Sequence, residues 1–218
     1  MKQFVAVLAV AGALAAGSAF AQAPAAQPAA PADPNAWQVD ANHTSAQFSV
    51  KHMMVSTVRG TLGKVTGSIN YDGKSAESIK ADIAIDVNGL NTGTENRDKD
   101  LRSENFFDVA KYPSITFKSK RVEPAAEGRF RLIGDLTMHG VTKEVALDVD
   151  GPSPILKQPN GSQKVGASAS TKLNRRDFGL QYNKMIESAP VVADEIQVQI
   201  DIEANQPAPA ATKPTGAR

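Results

Sequence analysis

The chain contains three histidines. Two of them, His43 and His52, fall in the single stretch NHTSAQFSVKH, from Asn42 to His52. Imidazoles in such proximity suggest either a shared metal or an acid–base pair, provided the side chains meet. Along a regular strand, side chains alternate between faces, and an odd separation places these two on opposite sides. Phe48, Val50 and His52 then share one face and His43 lies on the other. The third, His139 in LTMHGVTK, follows Met138 and points outward or into the turn at Gly140. Without cysteine and without a third ligand at short spacing, no metal site is expected. His52 on an apolar face reads as a core histidine with one hydrogen-bond partner, or as a group that polarises the head of a ligand.

Other arrangements that carry chemistry are missing as well. There is no GxSxG, Walker-type loop, HExxH or dinucleotide fingerprint, and the carboxylates mostly stand at outward parity or beside Lys and Arg. No catalytic residue and no cofactor is expected. A net charge of +1 with no basic run gives no reason to expect nucleic acid or a strongly anionic membrane as partner.

The elements that must position these residues are strands. In EIQVQIDIEA, Ile196, Val198, Ile200 and Ile202 alternate with Gln197, Gln199, Asp201 and Glu203, the pattern of a strand wet on one side. SIKADIAIDV repeats it with Ile83 and Ile85, FRLIGDLTM with Leu136 and Met138, and EVALDV with Val145, Leu147 and Val149. Weaker versions run through SAQFSVKH, KVTGSINY, SITFKSK with Phe117, and KVGASASTKL. With turn signals at YDGK, AAEG and QPNG, these imply about eight or nine strands in an antiparallel sandwich or barrel. One segment departs from the pattern: TGTENRDKDLRSENFFDVAKYP predicts a short helix capped at Thr94, with Leu101 facing the body, Phe106 and Phe107 as a plug, and Pro113 as a stop.

Alternation also points Ala81, Gly134, Ala167 and Ala169 inward beside the large residues. Small inward groups leave room for a ligand, or they permit tight packing against the helix; residue identities leave both readings open.

The ends of the chain have a different composition. Met1-Lys2, a short apolar run and SAFA before Gln22 read as a signal peptide over 1–21, too short for a confident membrane span. Residues 22–36 and 205–218, rich in Ala and Pro, read as a disordered linker and tail. Residues 37–204 remain as one domain. Without cysteine, no disulfide and no lipidated cysteine supports an exported chain.

Several strings stand together in one order: NHTSAQFSVKHMMVSTVRGTLGKVTGSINYD, TGTENRDKDLRSENFFDVAKYPSITFKS, GDLTMHGVTKEVALDV and NRRDFGL, before a closing amphipathic strand. Over nearly all of 37–204 the chain resembles the YceI-like family of exported polyisoprenoid-binding proteins. The resemblance implies a lipocalin-like antiparallel eight-stranded β-barrel with a short helix near one end and no established catalysis. The matched residues include His43, His52, Arg59, Tyr112, Pro113 and His139, together with Arg97 and Asp98 and with Arg175 and Asp177, which read as structural ion pairs ahead of a role at a ligand head group. It further implies a periplasmic binding or carrier protein for a long-chain isoprenoid, either a polyprenyl lipid or a quinone, without stable membrane insertion. A homodimer is among the arrangements considered. The alternative is a hydrolase or isomerase acting on such a lipid, with His52 as acid or base. The expected ligand pocket is lined by Phe48, Val50 and His52, by Ile83 and Ile85, by Phe117, Leu136 and Met138, by Phe178 of NRRDFGL, and by Val198 and Ile200. Amino-terminal sequencing of the exported protein is expected to begin at Gln22; Met1 retained on the protein would contradict the leader.

Overall fold

The structure, a computed structural model, describes residues 33–208 apart from 127, 183, 184, 187 and 188. The leader and most of both tails lie outside the described residues. The strands are β1 Ala36–Val39, β2 Ser45–His52, β3 Ser56–Thr61, β4 Lys64–Asn70, β5 Lys80–Asp86, β6 Ser114–Pro124, β7 Arg129–Met138, β8 Val141–Asp150, β9 Leu156–Lys157, β10 Gln163–Asn174, β11 Met185–Ile186, β12 Ala189–Pro190 and β13 Val192–Gln206.

β13 organises the sheet. One edge pairs with β10 from Gln163↔Gln206 to Asn174↔Glu195. The other edge pairs with β1 at Gln38 and Val39 and with β2 from Ser45 to His52. β1 and β2 are therefore one broken stave, and β3 with β4, which pair with β2 and β1, form the next. Gly63 bends the chain between β3 and β4 at φ +128°; a Cβ there would stand 1.9 Å from the Asp86 carbonyl oxygen, so only glycine fits. Continuing through β5, β6, β7, β8 and β10 back to β13, the staves follow sequence order and close an eight-stranded antiparallel barrel. The weakest seam joins β8 to β10, which pair only from Ser168↔Asp150 to Ser170↔Asp148.

The period-two pattern becomes the two faces of this wall. Gln197 and Gln199 of β13 are exposed outside, while Ile196, Val198, Ile200 and Ile202 turn inward. β6 explains its own weak pattern: the register against β7 shifts between Ser119 and Arg121, so inward parity passes from Ile115 and Phe117 to Val122. At this shift Ser119 Oγ accepts from the Ala81 amide at 2.8 Å, satisfying a donor just beyond the first β5–β6 pair.

The helix, α1 Glu95–Arg102, forms where expected, with Thr94 at its N-cap position. The Thr94 hydroxyl does not cap it; that oxygen accepts from Arg97 Nη2 at 3.0 Å. The helix ends before Ser103, ten residues ahead of Pro113, so Pro113 does not stop it. Acidic Glu95 and Asp98 in the first turn and basic Lys99 and Arg102 in the last suit the helix dipole.

Neither expected ion pair forms. Arg97 donates to Thr92 and Thr94, and Asp98 accepts from the Thr92 amide and hydroxyl, so Thr92 holds both. Arg175 is buried and pairs with Asp194 at 3.0 Å rather than with Asp177. Its Nε donates to Ala193 O, Nη1 to Leu180 O and Tyr182 O, and Nη2 to Val192 O and Asp194. Burial draws the guanidinium below its ordinary pKa, and Asp194 opposes that shift. All five donors are thereby engaged, and the chain on both sides of the β11–β12 hairpin is fastened to the end of β10. Arg175→Ala should cost about 2–4 kcal/mol in urea unfolding by orphaning these carbonyls. Arg175→Lys should recover little, because three donors cannot replace five; a loss below about 1 kcal/mol in both would contradict this role.

Candidate functional site

The inward residues do not fill the barrel. A cavity of about 210 Å³ runs from Tyr71 and Val165 at one end to Leu101, Phe106 and Leu180 at the other. The first end is closed by the packed cluster of Trp37, Tyr71, Val165 and Ala204, where Trp37 Nε1 donates to Tyr71 O at 3.0 Å. At the second end Phe107 and Phe106 follow the helix, and the Phe106 ring tilts against Tyr182 at 4.7 Å. The half-buried state of Ile83, Leu136, Val198 and Ile200 arises here: they point inward, yet space lies over them.

The lining is almost wholly apolar. Its polar side chains among the described residues are Tyr71, Thr171 and Arg175. Arg175 has no donor left to offer. Burial, with the charge of Asp72 second, pushes the Tyr71 hydroxyl above its ordinary pKa, so it stays neutral.

Of the residues expected in the pocket, Phe48, Val50, Ile83, Ile85, Phe117, Leu136, Met138, Val198 and Ile200 line the cavity. His52 and Phe178 do not. His52 is the last residue of β2; its cross-strand partner Val192 lines the cavity, but the register against β13 shifts between Val192 and Ile196, and the His52 side chain is not among the lining. Phe178 belongs to a 3₁₀ turn, Arg175–Phe178, and is buried in the core cluster that contains Met138 and Leu180. It packs the end of the barrel instead of facing the space.

The small residues divide into two kinds. Ala81, Ala167 and Ala169 line the cavity. Gly134 makes no room: a Cβ there would stand 2.6 Å from Phe117 Cζ and 2.5 Å from Lys118 O, so the Phe117 ring already lies across it. Phe130, Leu132, Leu147 and Val149 also line the cavity, and their alternation was sufficient to find them. Tyr71 ends the weak alternation of KVTGSINY, just beyond β4, whereas Leu180 lies outside strands and carried no such signal.

The histidines stand apart from each other. His139 and Gly140 form the two-residue β7–β8 turn, both with positive φ, and the His139 ring meets Tyr112 edge-on at 4.7 Å. His43 precedes β2 and is 63% exposed, with Nδ1 2.9 Å from Asp40 Oδ2 and 3.7 Å from Glu203. Asp40, His43 and Glu203 bring ligand-type atoms within 4.8 Å of one another, the one such group among the described residues. Lys164 pairs with Glu203 and lies 3.7 Å from Asp40, so an ammonium stands where a cation would bind. Contact with His43, the Asn42 amide and Asn205 holds the Asp40 carboxyl well below the usual carboxylate range. Contact with Glu203 raises Lys164. This geometry is that of a polar clasp that joins β10 and the end of β13 to the turn before β2.

Comparison with known proteins follows the same outline. A UPF0312 protein of Vibrio cholerae is 33% identical over 141 residues, covering 64% of this chain and 73% of its own. The solved Campylobacter jejuni YceI protein aligns with a TM-score of 0.62 at 32% identity, over 72% of this chain and 89% of that one. A polyisoprenoid binding domain from Saccharophagus degradans aligns with a TM-score of 0.59 at 20% identity, over 78% and 98%, a likeness of fold alone. Residues 37–204, from Trp37 at the closed end to Ala204 beside it, match the family model, and the chain belongs to the YceI-like domain family.

Proposed function

We propose that the protein binds and carries a long-chain isoprenoid, a polyprenyl lipid or an isoprenoid quinone, in the barrel interior. On this reading it works in the periplasm after removal of the leader read at 1–21. One observation carries the proposal: an elongated apolar cavity reaches along the barrel, and its polar lining is confined to Tyr71, Thr171 and Arg175. Such a lining recognises length and apolarity rather than a head group. The name of the Saccharophagus degradans domain, which shares the fold, supports the choice of ligand class.

Transfer from water supplies the affinity. Each buried CH₂ contributes about 0.8 kcal/mol, so one added isoprene unit outweighs a single neutral hydrogen bond of about 1 kcal/mol. The composition of the wall favours carriage over chemistry. An acid–base reaction on the lipid needs a proton-transfer group inside the cavity, and the described lining includes no histidine and no carboxylate. The outer face, with Gln197, Gln199 and Asp201 on β13, is polar where a membrane-spanning barrel would be apolar.

Affinity is expected to rise at least about tenfold for each added isoprene unit until the cavity is full, whereas exchanging the head group at fixed length changes it less. Titration of a prenyl series by calorimetry checks this, and affinity that follows the head group would contradict it. Ala169→Phe is expected to occupy the space and weaken binding about tenfold or more while keeping the melting temperature. Unchanged binding together with a stability loss of about 1–3 kcal/mol would show a barrel that was already full. Gly134→Leu is unsuitable for this purpose, because it collides with Phe117 and the Lys118 backbone.

A further inference from the structure

The β2–β3 hairpin carries strain and exposed apolar surface at the same point. The Val55 amide donates to His52 O at 3.0 Å and closes a tight turn over Met53 and Met54, whose φ angles are +52° and +59°. Positive φ suits Asn and Gly and is unfavourable for a long side chain. At the β7–β8 turn, His139 shows the same strain, and there it is offset by packing on Tyr112. Among the described residues, no ring or core cluster receives Met53, Met54 or Val55. Met54 is 60% and Val55 84% exposed, and among the described residues the remaining large exposed hydrophobic is Leu156, at the opposite end of the barrel. Backbone strain that displays apolar side chains to solvent indicates a use outside the folded chain.

The surroundings identify the use. Val50, three residues before the tip, lines the cavity, as does Val192, whose neighbour Val191 accepts from the Met53 amide at 2.9 Å. The tip is therefore continuous with the helix end of the cavity. Lys51 and Arg59 are exposed on the outer face of the same hairpin, and neither forms an ion pair with a described residue. A short apolar tip flanked by cations fits the boundary between anionic head groups and acyl chains. It presents too little area for a specific interface with a second copy of the chain.

We infer that the tip Met53–Met54–Val55 is a membrane-docking element, which seats the helix end of the barrel on an anionic phospholipid bilayer. The inference deepens the proposed carrier reading and rests on it for its purpose: a ligand insoluble in water is then collected from, or returned to, the lipid phase. Docking of this kind is reversible, because two or three side chains enter the interface and no element spans it.

The test is flotation of the full mature chain with vesicles of phosphatidylethanolamine and phosphatidylglycerol, comparing it with a Met53→Asn, Met54→Gly double variant and with Val55→Ser. Asn and Gly accept the turn, so the double variant should melt at the same temperature or higher. It should lose about tenfold or more in vesicle partition, and Val55→Ser should lose a smaller factor. Binding of a farnesyl probe without vesicles is measured in parallel and should be unchanged. A native chain that does not float, or a double variant that floats equally well, would overturn the docking role, as would a dimer lost in the variant while vesicles capture neither protein. If the native chain floats, the variant does not, and neither takes up the farnesyl probe, docking stands and the isoprenoid reading fails.

Discussion

Closure of the sheet through β13 is the constraint on which the molecule depends. This strand has a partner along both edges, β10 on one and β1 with β2 on the other. Once it is in place the staves join into a ring, with unpaired edge left along β3 and on either side of the short β8–β10 seam. Closure at eight strands also sets the interior width, at the size where side chains either fill the barrel or leave space for one small ligand. The balance is tipped along the closing seam, where Ala167 pairs with Ile202 and Ala169 with Ile200. Alanine facing the interior from β10 leaves the β13 isoleucines with space over them. The same pairing that completes the fold thus leaves it hollow.

The two ends of the barrel are built differently. Trp37 and Tyr71, with Val165 and Ala204, pack a buried plug at one end from residues of the staves themselves and the chain after β4. At the other end the cover consists of α1, the Phe106–Phe107 turn and the chain around Leu180, added onto the wall and tied down by Arg175 and Thr92. A cover assembled from loops opens at lower cost than packed strands do. Carriage of a lipid requires one such end, and the exposed hairpin tip lies beside it.

Much of this was legible in the sequence, because a strand with one wet face writes its orientation into alternate residues. β13 and β7 were readable almost residue by residue, and nine positions read as inward on β2, β5, β6, β7 and β13 line the cavity. The readings that failed depend on contacts between distant segments. Parity carried His52 inward but could not show the β13 register shift opposite it. Arg175 finds its carboxylate at Asp194, 19 positions along the chain, whereas Asp177 is only nearer in sequence. Gly134 looked like empty space because the Phe117 ring that covers it comes from another strand. The helix was found from its charge pattern, while the true role of Thr94, as acceptor for Arg97 instead of cap, is invisible to spacing rules.

A hollow apolar barrel of this kind is proposed to hold a long apolar molecule in the protein's own compartment. Organic extraction of the native protein, followed by mass spectrometry of the extract, tests that most directly. A stoichiometric isoprenoid of long chain is the predicted result. Protein that yields no lipid, or a mixture of ordinary phospholipid acyl chains in place of an isoprenoid, would contradict it.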